Sequence, residues 1–266
     1  MSFTLGGKTA RELGIVMLRE SQRPILPGTV DKTMSIPGRH GAWDFGAELD
    51  ARVFELECAF VTKNPRELQQ KIMALAAHLV DSYGRPRELE LRFDARPGQF
   101  FTVRYAGRLP IERVAGLGRF TLPLVAYDPF AYSVATNDEV VWGSEVITFE
   151  ADYLMGHTGG QVQTVTSPQS YVVTVMGYAI RPTILVNGSG SNVAISANGK
   201  SFSLGSFSNA NWIIDGENYT VTRDGQNALS EFSGDFLELL PGENTVTVSG
   251  SGLNLTVQVK FRDKYL

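Results

Sequence analysis

Apolar and polar residues alternate in short runs through most of the chain. Phe3 and Leu5, then Leu13, Ile15 and Met17, keep a period of two on either side of Gly6-Gly7, which predicts two strands joined by a turn. Pro24, Pro27 and Gly28 mark a loop, and Val30, Lys32, Met34 and Ile36 then read as one more strand. In 52–61 the residues Phe54, Leu56, Cys58 and Phe60 share one face, with Val53, Glu55, Glu57 and Ala59 on the other. The period returns at Leu89, Leu91 and Phe93, at Phe101, Val103 and Tyr105, and at Phe120, Leu122 and Leu124. Arg96-Pro97-Gly98 is a turn signal, and Pro123 predicts an edge position or an outward kink for the last of these strands.

One segment has helical spacing. Leu68, Ile72, Leu75 and Leu79 form a stripe. Asn64 is a suitable N-cap, Pro65 suits the first helical position, and Glu67 stands where a capping box places its acid. Gly84 is the expected C-terminal cap, and His78 falls at the edge of the stripe. Residues 1–132 therefore predict an α+β domain, a barrel-like β layer with one packed helix.

Beyond Tyr132 the texture changes. Short β-branched runs are separated by Asn, Ser, Thr and Gly, beginning with Val140, Val141, Trp142, Val146, Ile147 and Phe149. Asn187-Gly188, Asn198-Gly199 and Asp224-Gly225 favour tight hairpins. Leu253, Leu255, Val257, Val259 and Phe261 supply a last strand. Residues 133–266 predict a β-sandwich, so the chain as a whole is mainly β with two domains.

Charge supports that division. Residues 1–132 hold 18 Lys+Arg against 15 Asp+Glu, a balance of +3, whereas 133–266 hold 6 against 13, a balance of −7. A +3 balance is too slight for a nucleic-acid binder. The amino terminus has no basic region followed by an apolar run, so no secretory signal is expected, and no stretch reaches the length of a membrane-spanning helix. The single cysteine, Cys58, lies on an apolar face and reads as a small hydrophobe.

Chemistry-bearing patterns are sparse. His40, His78 and His157 form no metal spacing. Glu55 with Glu57, and Glu88 with Glu90, read as solvated faces rather than catalytic pairs. Gly156-His157-Thr158-Gly159-Gly160 lacks the Lys-Ser/Thr ending of a phosphate loop and reads as a flexible loop. No cofactor and no catalytic residue is expected. Trp142 and Trp212 are candidates for stacking on sugar rings, with core packing as the alternative.

Ser35-Ile36-Pro37-Gly38-Arg39-His40-Gly41-Ala42-Trp43-Asp44-Phe45-Gly46 sets glycines, a proline, an arginine and two large aromatics within twelve residues. It reads as a shaped loop. Together with Phe3-Thr4-Leu5, Leu13-Gly14-Ile15, the capped helix and Tyr127-Asp128-Pro129-Phe130-Ala131-Tyr132, this motif resembles the distal tail proteins (Dit) of long, non-contractile-tailed bacteriophages. Ile213-Ile214-Asp215-Gly216-Glu217 and Leu239-Leu240-Pro241-Gly242-Glu243-Asn244 carry the resemblance into the second half.

The resemblance implies a virion structural protein at the tail tip, assembled in the host cytoplasm. Its N-terminal domain would close a homo-hexameric hub ring, with a galectin-like sandwich at the periphery. The ring would join the tail tube protein to the tail-associated lysin or fibre hub, with the tape measure protein as a further candidate partner, and DNA would pass through without specific binding. Ile36, Pro37, Gly38, Arg39, His40, Gly41, Trp43 and Phe45 become candidate oligomer-interface residues, since Trp, Phe and Arg are enriched at interface anchors. Asp128, Pro129 and Tyr132 become a candidate domain junction. The competing reading is a carbohydrate-binding sandwich that contacts host wall sugars through Trp142 and Trp212.

Overall fold

The computed structural model describes every residue except 1, 115, 145–146, 148–152 and 154–158. The expected strand start at Val146 and Phe149, and most of the Gly156–Gly160 loop with His157, lie outside the described residues. The chain separates into two compact units, Met1–Ala131 with Leu266, and Tyr132–Tyr265.

In the first unit, seven antiparallel strands follow the order Lys8–Thr9, Phe3–Leu5, Glu88–Phe93, Gln99–Tyr105, Leu117–Ala126, Arg52–Val61 and Ile15–Met17. Their alternate residues face one core, in which Phe3, Leu5, Phe54, Leu56, Leu91 and Leu122 are fully buried. Phe60 stacks on Phe120 with centroids 5.0 Å apart, and Phe54 meets the edge of Phe101 at 5.0 Å. Each such side chain contributes roughly 1.5–3 kcal/mol by leaving water.

Pro123 corrects its expected edge position. Its strand is central, with Pro123 opposite Glu55. The missing N–H falls where no ladder needs it. On that side the pairing with Glu112–Val114 ends at Arg119 and the pairing with Gln99–Tyr105 begins at Leu124. The Pro123 carbonyl still accepts from the Ala106 N–H at 3.3 Å.

The helix runs over Pro65–Leu79, with Asn64 as N-cap and its Oδ1 accepting from the Glu67 N–H at 2.9 Å. The Glu67 carboxylate reaches back to the Lys63 N–H at 3.2 Å, one residue beyond the usual capping-box partner. Leu68, Leu75 and Leu79 are buried, and Ile72 is half-buried. His78 is buried rather than peripheral, because its Nε2 bonds the Leu5 carbonyl at 2.9 Å. Gly84 is not the helix cap. Val80 ends the helix in extended backbone, and Gly84 belongs to a following turn closed by the Asp81 carboxylate, which accepts from the Tyr83 and Arg85 N–H groups.

The second unit is built on three long strands, Thr183–Ala197, Lys200–Asp215 and Gly242–Lys260, within an eight-stranded sheet. In each, the buried positions change parity midway. Ile184 and Val186 give way to Val193 and Ile195, Phe202 and Leu204 to Phe207, and Val246 and Val248 to Leu253 and Leu255. Register breaks at Gly188–Val193 and Ser189–Ala194 accompany the change. Bulges of this kind let one strand serve two layers, so both arms of the sheet enclose a single core around Trp212, Phe202 and Ile195.

Asn198-Gly199 joins Thr183–Ala197 to Lys200–Asp215, and Asp224-Gly225 joins Thr220–Arg223 to Gln226–Asn227, as hairpin turns should. Asn187-Gly188 is instead a bend within a strand. Gly188 has φ 135°, and an added Cβ would lie 2.3 Å from the Asn254 carbonyl oxygen. At the other end of the unit, buried Asn244 locks the Leu240–Asn244 turn. Its Oδ1 accepts from the Leu240 N–H at 2.7 Å while its Nδ2 donates to the Leu240 and Gly242 carbonyls.

Candidate functional site: an exposed hairpin

Residues 29–49 form a two-stranded hairpin. Among the described residues, Thr29–Met34 pairs with Trp43–Leu49 alone. Its root is secured. The Asp50 N–H donates to the Gly28 carbonyl at 2.8 Å, Gln22 bridges Glu55, and the Arg52 guanidinium donates to the Ile25 carbonyl at 2.9 Å. Arg52 is itself buried, 5.1 Å from the Phe101 ring centroid. Every residue of both hairpin strands is exposed.

Local chemistry explains how the hairpin is shaped. The register slips between Asp31 and Thr33, where Trp43–Leu49 carries one extra residue. Gly46, at φ 93°, takes the bulge, and its N–H donates to the Asp44 carboxylate at 2.8 Å. The slip decides which side chains share a face. Met34 is opposite Trp43 and Val30 is opposite Glu48, so Val30, Met34, Trp43 and Phe45 come together on one side. The Lys32–Glu48 ion pair crosses that face. The opposite face carries Thr29, Asp31, Thr33 and Asp44, with Ala47 and Leu49.

The expected loop is thus partly a strand. Ile36 to Ala42 form the tip, closed by the Arg39 N–H donating to the Ile36 carbonyl at 3.1 Å, whereas Trp43 and Phe45 stand on the returning strand. Arg39 reaches back over Trp43, its guanidinium carbon 4.2 Å from the ring centroid. Trp43 remains 48% exposed and Phe45 65%. Pro37, Gly38, His40 and Gly41 are exposed at the tip. Ile25 and Leu26, at the root, are also exposed apolar residues and were not expected from sequence. Their signal was an apolar pair set between Pro24 and Pro27, outside any alternating run.

Other candidates fall elsewhere. Asp128 accepts from the Phe130 N–H at 3.2 Å and shapes the turn where the first unit ends, with Pro129 inside that turn and Tyr132 opening the second unit. Trp212 is fully buried, with its ring edge-on to Phe207 at 5.7 Å, so it cannot stack on a sugar. Trp142 is exposed. Burial pushes the Cys58 thiol up to about 12, which leaves no thiolate for chemistry near neutral pH. Among the described residues no group of His, Cys, Asp or Glu is arranged to hold a metal, and no helix is long and apolar enough to cross a membrane.

Two family models match the chain. A phage tail protein RIFT-related domain covers residues 8–126, and a siphovirus-type tail component C-terminal domain covers 164–265. These two domains in succession define a structural component of a phage tail. Among solved structures, the SPP1 Dit protein (gp 19.1), described as a paradigm of the hub adsorption apparatus in phages infecting Gram-positive bacteria, aligns with a TM-score of 0.71 and 16% identity. The alignment covers 100% of this chain and 99% of that one. The chain belongs to the siphophage distal tail protein (Dit) family. The baseplate of phage p2 in its activated conformation, with strontium or with calcium, is matched at TM-scores of 0.44 and 0.43 and 6% identity, a likeness too slight to build on. No curated protein matches the chain by sequence.

Proposed function

We propose that this chain is a non-catalytic hub protein of the phage tail tip, six copies of which close a ring through their N-terminal domains. The observation that carries this reading is the 29–49 hairpin. A two-stranded ribbon is marginally stable alone, and this one presents Val30, Met34, Trp43 and Phe45 together, each still between 48% and 65% exposed. A ring of identical subunits needs two different complementary patches on each copy. The apolar hairpin face supplies one of them. Charge supports a second copy as the counterpart, because 25–51 carries 2 Lys+Arg against 4 Asp+Glu, whereas the rest of 1–132 carries 16 against 11.

In this reading the ring joins the tail tube protein to the tail-associated lysin or fibre hub, the tape measure protein contacts the same assembly, and DNA passes through the opening. Assembly takes place in the host cytoplasm. The family membership and the hairpin support the reading, and the burial of Trp212 weighs against the sugar-binding alternative. Negative-stain microscopy of the concentrated protein, alone and with tail-tube and hub partners, is expected to show sixfold rings. A monomer that joined neither partner would overturn the proposal.

A further inference from the structure

The outer face of the first unit's sheet carries a second exposed apolar surface. Leu117 lies directly across from Val61 on one side and from Val114 on the other, so the three side chains form one cross-strand row. In the next row Ala59 is opposite Val16 and Arg119, and Ala59 shares its face with Val61 two residues on. This face is turned away from the core, since Ile15, Phe60 and Phe120 alternate with these residues and are buried. Val16, Val61, Val114 and Leu117 are between 46% and 70% exposed.

The surface ends where polar pairs begin. Arg119 is 3.6 Å from the Glu57 carboxylate, which also accepts from the Thr121 hydroxyl, and Glu112 is opposite Arg119. An apolar patch bounded by polar residues has the make-up of an interface core and its rim. Its open area is roughly 350 Å², on the scale of functional patches on single subunits. The hairpin face of Val30, Met34, Trp43 and Phe45 leaves a similar area open, about 430 Å². Brought together, the two would remove about 800 Å² from water, close to the apolar share of a standard interface of about 1,600 Å².

Their placement makes the hairpin of a second copy the occupant. The strand Arg52–Val61 runs between the two surfaces. The hairpin root, held at Asp50 and Arg52, is at its start, and Val61 is its last residue. Strand rise puts these ends about 30 Å apart. Unlike patches of similar area at opposite ends of one strand suit a head-to-tail contact that repeats around a ring, whereas a self-complementary patch would close a twofold dimer.

We propose that the Val16, Val61, Val114 and Leu117 face receives the Val30, Met34, Trp43 and Phe45 face of the neighbouring copy's hairpin. This presupposes the proposed ring and specifies where each hairpin lands. Two full-length variants separate the surfaces. Trp43→Lys places a charge on the hairpin face and Val61→Lys on the sheet face, both at exposed positions. At a concentration where the wild type forms rings, native mass spectrometry should find each variant monomeric, its pairwise affinity reduced at least about 30-fold. Mixed in equal amounts, they should form a heterodimer and nothing larger. Only the hairpin of the Val61→Lys copy and the sheet face of the Trp43→Lys copy remain intact, so one contact can form and none can follow it.

Recovery of that heterodimer also verifies that both variants are folded. Val114→Lys should behave as Val61→Lys does, and it replaces Val61→Lys should the latter not fold. Rings formed by the sheet-face variants while Trp43→Lys stays monomeric would overturn the proposal and leave the hairpin contact standing. Folded variants that remain monomers when mixed would overturn it too. Sheet-face variants that form rings but no longer join a tail-tube or hub protein would overturn it by giving the face to that partner. A wild type that never associates with itself, alone or with tail partners, removes the ring and this contact with it.

Discussion

Trp43→Ala is the sharpest test of the hairpin as a ring contact. Trp43 is 48% exposed. An indole side chain offers about 250 Å², so about 120 Å² of Trp43 stands open to a neighbouring copy. At about 25 cal/mol/Å² its burial would contribute about 3 kcal/mol to each subunit contact. Truncation should therefore cost about 2–3 kcal/mol per contact, or roughly 30- to 150-fold in the pairwise dissociation constant. Within the monomer the partners of Trp43, Arg39 over its ring and Met34 across the strands, belong to the hairpin and not to the buried core, so the truncation loosens the ribbon and the melting temperature of the core should barely move. Mass photometry or analytical ultracentrifugation across a concentration series reads the first effect, and thermal unfolding at a concentration where the wild type is monomeric reads the second. A variant that forms rings at the wild-type concentration would refute the assignment. So would one that unfolds several degrees lower as a monomer, because Trp43 would then be supporting the fold.

Leu75→Ala, at a helix position 2% exposed, should lower the unfolding free energy by about 2–5 kcal/mol, and an unmoved urea midpoint would contradict the packing described. Gly188→Ala meets the Asn254 carbonyl at 2.3 Å in a positive-φ conformation, so thermal unfolding should show a loss of about 2 kcal/mol or more. The folded Cys58 thiol titrates near 12 against an ordinary value of 9.0. Between these values the unfolded chain binds fewer protons than the folded one, so stability falls as pH rises from about 9 towards 12, by up to about 1.4 kcal/mol per pH unit. Cys58→Ala should flatten that decline in denaturant titrations, and native Cys58 should resist a thiol reagent at pH 8 until the protein is unfolded.

The regular elements were legible in the sequence because their signals are local. Period two through Phe54, Leu56, Cys58 and Phe60 follows directly from one buried face, and Asn64 with Pro65 marks the helix start regardless of what surrounds it. Features decided by neighbours distant in the chain were not legible. Pro123 is tolerated in a central strand because the adjoining ladders leave a gap there. Asn187-Gly188 becomes a bend because the backbone at Asn254 approaches it. His78 is buried because the Leu5 carbonyl stands at its ring.

The candidate site divides in the same way. Its residue types were visible, but the bulge at Gly46 that aligns Trp43 with Met34 is a matter of register.

The hairpin's edges bear on the kind of assembly it can make. A bare two-stranded ribbon invites strand-to-strand addition, and repeated addition gives fibres rather than closed particles. Here Asp31 and Lys32 sit on one strand, Asp44 and Glu48 on the other, and the Gly46 bulge interrupts the second edge. These features discourage pairing along the edge, while the Val30, Met34, Trp43 and Phe45 face stays open to contact. In the proposed ring, contact would then run through that face, and the number of copies would be set by the rotation between neighbours rather than by strand addition.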